Sequence, residues 1–214
     1  MIAIAKRLNR KVSAVITSME QPLGNAIGNA LEVEEAIDVL KNRGPEDITQ
    51  LCIALCGMMI YMGEKASSPE EGMQKARTAL EDGSALAKFR DLIEGQGGDP
   101  AIIDDPSLMP QAEFCMELKA WEDGYIEAID AMRIGLASQH TGAGRERKDD
   151  AIDMSAGIIL CKKRGDHVIS GETICKIYGN DIKKVEKALE EVTNSVRISV
   201  KKPDDISLIK KIID

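Results

Sequence analysis

The first half of the chain carries apolar residues at helical spacing. Residues 25–42 and 45–66 follow this pattern, and the second range is apolar on most faces, which predicts a central helix. Shorter helices are predicted at 68–82 and 84–94. Residues 11–17 are rich in β-branched side chains and predict a strand that is buried on both faces.

After Phe114 the pattern changes to short apolar segments separated by glycines, which is typical of strands. The predicted strands lie at 115–119, 124–130, 156–161, 173–178 and 195–200. Helices are predicted at 131–139 and, with clear amphipathic spacing, at 181–194. This alternation predicts a compact α+β module over residues 113–214.

Residues 99–112 separate the two halves and contain three prolines and three aspartates without periodicity, which indicates a connector. The strand at 11–17 has no predicted partner in its own half, although a strand buried on both faces needs neighbours in a parallel sheet. We therefore predict an α/β and α+β fold. Residues 1–112 would be a truncated part of a parallel-sheet α/β domain with its connector, and residues 113–214 a second domain.

The composition narrows the class of partner. The formal net charge of −8 disfavours nucleic acid and anionic membranes, and an aromatic content of 3% leaves few platforms for stacking bases. No apolar run reaches transmembrane length and residues 1–10 lack the pattern of a signal peptide, so we expect a cytoplasmic protein. Five cysteines fit that compartment, and we interpret Cys52 and Cys56 as small core residues rather than zinc ligands.

Three stretches of the chain carry distinctive motifs. Residues 21–36 read Q-P-L-G-N-A-I-G-N-A-L-E-V-E-E-A, and residues 97–106 contain Gly-Gly-Asp followed by Asp-Asp-Pro. The third stretch, residues 142–172, begins with G-A-G-R at 142–145 and ends with G-D-H-V-I-S-G-E at 165–172. In this order, and over essentially the whole chain, the motifs resemble those of the pyrimidine-nucleoside and thymidine phosphorylases.

The resemblance implies an activity and an architecture. In that family, orthophosphate attacks the anomeric carbon of a pyrimidine nucleoside through an oxocarbenium-like transition state. The products are the free base and (deoxy)ribose 1-phosphate, so the partners implied for the intact enzyme are phosphate and a pyrimidine nucleoside. Family members are usually homodimers, and the resemblance implies an α/β-hammerhead-like C-terminal domain for residues 113–214.

The family's phosphate-binding loop and pyrimidine-binding residues precede the stretch that resembles residues 21–36. Nothing in this chain matches them, so we assign no catalytic residue and expect the chain alone to be inactive. Met1 aligns inside a family helix, so we expect an N-terminal half to be missing. Two alternatives stay open: a non-catalytic interaction subunit, which would fold alone or pair with a separately encoded N-terminal half, and one half of a split enzyme. The protein partner would be the missing N-terminal half or a second copy in a homo-oligomer.

The resemblance also implies an incomplete site for a monovalent cation at Leu23, Ala26 and Glu35. Leu23 and Ala26 would contribute main-chain carbonyls and Glu35 a carboxylate, a set of hard oxygen ligands that suits potassium. The family's remaining ligands come from the phosphate-binding loop, and no cofactor is required. The alternative is that Glu35 is a solvated helix residue.

Arg145 is the one candidate for substrate binding, because it follows a glycine-rich loop that would act as a lid over a cleft. The alternative is a mobile surface loop. His140 and His167 have no nucleophile at a recognisable spacing and receive no catalytic role. Residues 165–174 also resemble the last hairpin of biotinyl and lipoyl carriers, but the lysine motif that those carriers modify does not occur here.

Overall fold

A computed structural model of the protein describes residues 2–213. The helices in this range are α1 (Ile2–Arg7), α2 (Asn29–Leu40), α3 (Glu46–Met62), α4 (Pro69–Glu81), α5 (Ser84–Gly95), α6 (Ala131–Ser138) and α7 (Ile182–Thr193). The strands are β1 (Ala14–Thr17), β2 (Ala26–Gly28), β3 (Phe114–Lys119), β4 (Gly124–Ile129), β5 (Gly157–Leu160), β6 (His167–Val168), β7 (Thr173–Gly179), β8 (Val196–Ser199) and β9 (Ile209–Ile213). No helix in the described range has the length and apolar composition that crossing a bilayer requires.

The chain divides into two compact units. The first contains the residues up to 18, residues 38–98 and the residues from 206 onward, and the second contains residues 19–37 and 99–205. This packing differs from a linear division at residue 112, because residues 19–37 and the connector lie with the C-terminal module.

Helices α3 and α4 pack closely in the first unit. A Cβ atom on Gly72 would lie only 2.2 Å from the carbonyl oxygen of Gly57, so the two helices approach through glycines. Helix α4 begins after Ser68, whose hydroxyl accepts the amide of Glu71 at 3.2 Å. The contact between α3 and α4 buries one side of α3, including Met58.

The opposite side of α3 is open, so the prediction of a central helix from its apolar pattern is wrong for the described chain. Leu55 is 40% exposed and Met59 is 63% exposed. Cys52 is also exposed and Cys56 is half-buried, so the interpretation of both cysteines as core residues is wrong for Cys52. Among the described residues of the first unit, no element covers this side of the helix, although its apolar periodicity predicts that this side is buried.

Strand β1 pairs antiparallel with β9, with Ala14 opposite Ile213. Every strand pair in residues 2–213 is antiparallel, so the parallel neighbours expected for residues 11–17 are not found in this range. The partner comes from the C-terminal end, where Lys210 and Lys211 interrupt the apolar residues and hide the pattern of a strand.

The second unit is an α+β module with a dense aliphatic core, as predicted. Its two antiparallel sheets have the strand orders β2-β5-β7-β3 and β6-β4-β8, and α6 and α7 pack against each other beside them. The core contains fully buried residues from both sheets and both helices, among them Ile126, Ile129, Ile134, Ile158, Ile174, Ile177, Val185 and Val192. The five strands predicted in this unit agree with the structure to within one residue at each end.

Candidate functional site

The site begins with residues 21–28, which we call the Q-P-L-G loop. The side-chain oxygen of Gln21 accepts the amide of Arg164 at 3.0 Å, and the carbonyl of Asn25 accepts the amide of Leu160 at 2.8 Å. The loop then continues as β2, which pairs with β5. Both ends of the loop are therefore attached to the C-terminal module, within the second unit.

Glu35 binds the loop from helix α2. Its Oε1 accepts the amides of Asn25 at 2.6 Å and of Ala26 at 3.0 Å. A Cβ atom on Gly24 would lie 2.1 Å from Glu35 Oε2, and Gly24 has φ +66, so both space and backbone conformation require glycine there. Glu35 is half-buried and hydrogen-bonded, so the alternative of a solvated helix residue is wrong.

A lysine binds the same loop through its carbonyl oxygens. The ammonium of Lys163 donates to the carbonyls of Pro22 at 2.6 Å and Gly24 at 2.5 Å. Leu23 lies between these two residues and is 39% exposed. The structure thus brings Ala26 and Glu35 together through the Ala26 amide, and it places a protein cation on the carbonyls that flank Leu23.

The G-A-G-R loop, residues 142–145, contacts Asn29, which directly follows the Q-P-L-G loop. The side-chain amide of Asn29 donates to the carbonyl of Ala143 at 2.8 Å, and the hydroxyl of Ser138 donates to the carbonyl of Ile27 at 2.9 Å. The two glycine-containing motifs are therefore neighbours in the second unit, although the sequence gives no local signal for that contact.

Arg145 is exposed and contributes to the structure of its own loop. Its Nε donates to the carbonyl of Asp150 at 3.2 Å. The carboxylate of Asp150 accepts the amides of Glu146 at 3.1 Å and Arg147 at 2.7 Å, which closes a turn. The lid role of Arg145 stays a prediction.

An open cleft of about 450 Å³ lies beside this turn. It is lined by His140, Gly142, Glu146, Arg147, Asp150 and Lys184, with Gln139, Gly144 and Ala151. Its charges are mixed, since His140 Nδ1 lies 2.7 Å from Glu191 Oε2 and its Nε2 lies 3.8 Å from Glu146 Oε1. Such a lining does not concentrate positive charge on an anion.

Sequence reasoning missed a polar network around Asp153. The side-chain amide of Asn180 donates to Asp153 Oδ2 and to Ser155 Oγ, both at 2.9 Å, and its oxygen accepts the amide of Glu113 at 2.8 Å. Partial burial opposes ionisation of Asp153, but the hydrogen bonds from Ser155 and Asn180 outweigh it and lower the pKa of this carboxyl below its ordinary value. The spacing Asp-x-Ser, typical of a side-chain-capped turn, was the available signal.

Three of the cysteines have a thiol whose ionisation is disfavoured by burial. Burial raises the pKa of the Cys175 thiol to about 12, and burial also raises the pKa of Cys161 and Cys52. Across residues 2–213, no group of three or more His, Cys, Asp or Glu residues is arranged to hold a metal ion.

Two family models match the chain. Residues 1–86 match the model described as the a/b domain of a glycosyl transferase family, and residues 125–199 match the pyrimidine nucleoside phosphorylase C-terminal domain. Similar proteins agree with this assignment: the pyrimidine-nucleoside phosphorylase of Geobacillus stearothermophilus is 47% identical over 199 residues. The chain belongs to the pyrimidine-nucleoside phosphorylase family.

Other phosphorylases extend the comparison. The pyrimidine-nucleoside phosphorylase of Staphylococcus epidermidis is 45% identical over 213 residues, which is 100% of this chain and 49% of that protein. The enzyme of Bacillus subtilis is 43% identical over 199 residues, which is 93% of this chain and 46% of that protein. The Geobacillus comparison likewise covers 93% of this chain and 46% of the relative. The chain spans about half the length of the curated relatives it matches.

The two family models show that the contacts of the Q-P-L-G loop connect residues from two family domains. This loop lies in the stretch that matches the a/b domain, whereas Arg164, Lys163 and Leu160 lie in the stretch that matches the phosphorylase C-terminal domain. The loop therefore joins residues of two separately defined family domains inside one compact unit. The cation role of Leu23, Ala26 and Glu35 stays a prediction.

Proposed function

We propose that the chain is the C-terminal portion of a pyrimidine-nucleoside phosphorylase, which cleaves pyrimidine nucleosides with phosphate to the free base and (deoxy)ribose 1-phosphate. The observation that carries this proposal is the identity of 47% to 43% with three proteins of that name, each covered over about half its length. The Q-P-L-G loop, its most distinctive motif, is built into the core of the second unit by Glu35 and Lys163.

The reaction requires groups that the cleft beside the G-A-G-R loop does not assemble. Phosphorolysis needs convergent positive charge or amide donors for phosphate, and donors for the departing base. In the cleft beside the G-A-G-R loop, Arg147 and Lys184 lie with Glu146 and Asp150. We therefore expect no turnover by the chain alone, and we assign it the role of a scaffold that would complete a site built mainly by other residues.

The half-enzyme alternative has an observation in its favour. Apolar residues on α3 are spaced alternately by four and three residues, at positions 48, 52, 55, 59 and 62. The middle three, Cys52, Leu55 and Met59, are exposed. Apolar residues at this spacing form a stripe suited to helix packing. We propose that the part of the relatives which this chain does not match covers this stripe.

A carrier function has less support. Lys162 forms an ion pair with Glu172 at 2.5 Å, and Lys163 is bonded to the Q-P-L-G loop. Neither lysine is presented freely on a turn, as covalent attachment of biotin or lipoate requires. The free cysteines, Cys52, Cys56, Cys115, Cys161 and Cys175, suit a reducing compartment, and we propose the cytoplasm.

The test is an activity assay on the purified chain, with and without the N-terminal half of the Geobacillus relative. Uridine or thymidine with phosphate is followed by release of the free base. We expect no turnover by either half and activity on mixing. Turnover by the chain alone within about a hundredfold of an ordinary enzyme, which works at roughly 10 per second, would contradict the proposal. No activity on mixing, with stable association, would favour the interaction subunit.

A further inference from the structure

The Q-P-L-G loop has a positively charged group at its centre that belongs to the chain itself. Lys163 Nζ donates to the carbonyls of Pro22 and Gly24 at 2.6 and 2.5 Å, and Pro22 and Gly24 are buried. An ammonium carries one positive charge and three donors, so it satisfies carbonyl oxygens as a monovalent ion would.

The carboxylate of Glu35, the negatively charged group beside the loop, also forms hydrogen bonds with the loop. Glu35 Oε1 accepts the amides of Asn25 and Ala26 at 2.6 and 3.0 Å, and Oε2 lies against Gly24. The expected ion site would use the Glu35 carboxylate together with the carbonyls of Leu23 and Ala26. In this structure the Glu35 carboxylate accepts amides of the loop backbone, and the carbonyls on both sides of Leu23 receive the ammonium of Lys163, so the chain itself supplies a positive charge at this loop.

The backbone that carries Lys163 is fixed by the same contacts. The amide of Lys163 donates to Asp166 Oδ2 at 2.8 Å, and the next amide, that of Arg164, donates to the side chain of Gln21 at 3.0 Å. The loop and the lysine-bearing turn thus hold one another. The neighbouring Lys162 instead forms an ion pair with Glu172 at 2.5 Å and provides a matched control.

We propose that the ammonium of Lys163 is the resident cation of the Q-P-L-G loop, so that the loop is ordered without potassium. Lys163 is a positioning residue in this proposal, because it acts through the loop backbone. The proposal concerns the order of the loop and does not depend on the phosphorolytic activity of the chain. The proposal predicts that the order of the loop becomes dependent on potassium only when the Lys163 side chain is removed.

Amide hydrogen exchange at Asn25 and Ala26 tests the proposal directly. Both amides are measured by NMR in choline chloride and in potassium chloride at equal ionic strength, for the wild type, Lys163→Met and Lys162→Met. We expect wild-type protection to agree within twofold in the two salts. Lys163→Met should lose at least tenfold protection in choline and regain it in potassium, whereas Lys162→Met should behave as the wild type.

The amides of Ile174 and Ile177 in the core report whether each variant is folded, since these residues are fully buried. Two results would overturn the proposal: wild-type protection that rises tenfold or more with potassium, or Lys163→Met protection that is unchanged in choline. If Lys163→Met fails to fold, the wild-type comparison decides alone. An unchanged wild type then supports the lysine, and a potassium-dependent one refutes it.

Discussion

Gln21 accepts the amide of Arg164 through its side chain at 3.0 Å, although 143 residues separate the two in sequence. The bond joins the first residue of the Q-P-L-G motif to the turn that carries Lys163. A motif whose sequence resembles a ligand-binding loop therefore also holds two distant segments of the chain together. Substitutions in the motif should therefore lower the stability of the second unit more readily than they change ligand binding. The two effects have to be measured separately.

Gly24→Ala should destabilise the second unit by more than about 2 kcal/mol. The added methyl group would lie 2.1 Å from Glu35 Oε2, and φ +66 is also unfavourable for alanine. Gly171→Ala is the matched control, because Gly171 has φ +87 but no atom within 4 Å of the new Cβ. It should show only the backbone effect of about 1 kcal/mol. Urea unfolding compares the two, and equal losses would show that Glu35 does not press on the loop.

Gly72→Ala should weaken the contact between α3 and α4. Its Cβ would lie 2.2 Å from the Gly57 carbonyl, a backbone atom that cannot turn away, so we expect a loss of about 1–3 kcal/mol in the first unit. Gly135→Ala on α6 is the control, since nothing lies within 4 Å of its added methyl group. That control should stabilise by up to about 1 kcal/mol, because alanine is the better helix former. Amide exchange in α3 and α4 measures the effect.

The elements of the second unit were predictable because their signals are local. Alternating apolar residues bounded by glycines mark β3, β4, β5, β7 and β8, and the spacing of apolar residues marks α7. Strand β2 was read as part of a helix, since three residues become a strand only by pairing with β5. Strand β9 was missed because its two lysines conceal it.

The site was predictable only in part, for a related reason. The motif indicates that Glu35 and residues 23–26 belong together, and the structure places the Glu35 carboxylate on the loop amides. The role of Lys163 could not be read from the sequence, because it depends on a contact across 139 residues. Neighbouring lysines 162 and 163 look alike in sequence, and only folding assigns them different partners.

Asp153→Asn should destabilise the second unit at neutral pH but not in acid. The folded pKa of Asp153 lies below its ordinary value of 3.8, so its contribution is present above that pH and is lost as the pH falls through the folded pKa. We expect a loss of about 0.5–1.5 kcal/mol at pH 7, shrinking as the pH falls below about 4. Asp149→Asn in the exposed turn is the control. A difference that is constant from pH 7 to pH 3 would contradict the assignment.

Subtilisin, which does not require lysine or arginine at the cleaved bond, should cut the folded chain first within residues 140–149. Arg145, Arg147 and Lys148 are exposed there, and exposed loops are the preferred sites of proteolysis. The connector at 95–112 is the second candidate region, and a cut there would test whether residues 113–214 fold independently near the expected boundary at Gln111. Mass spectrometry of the early fragments identifies the sites. A first cut inside 45–66 would mean that α3 is not stably formed.

The open side of α3 should control association of the isolated chain. Burial of one aliphatic side chain contributes about 1.5–3 kcal/mol, so Leu55 and Met59 together can stabilise a contact with a second copy. The double variant Leu55→Gln with Met59→Gln should weaken association more than tenfold in sedimentation, since about 1.4 kcal/mol corresponds to tenfold.

Leu136→Gln is the matched control, because Leu136 is 46% exposed on α6 in the other unit and should leave association unchanged. Hydrogen exchange in dilute solution completes the test. If the chain dissociates there, residues 2–60 should lose protection while residues 113–214 keep theirs, because a domain has only about 5–15 kcal/mol of stability to lose. A monomer with equal protection in both parts would show that α3 needs no cover, and the proposed contact with the rest of a phosphorylase would lose its physical basis.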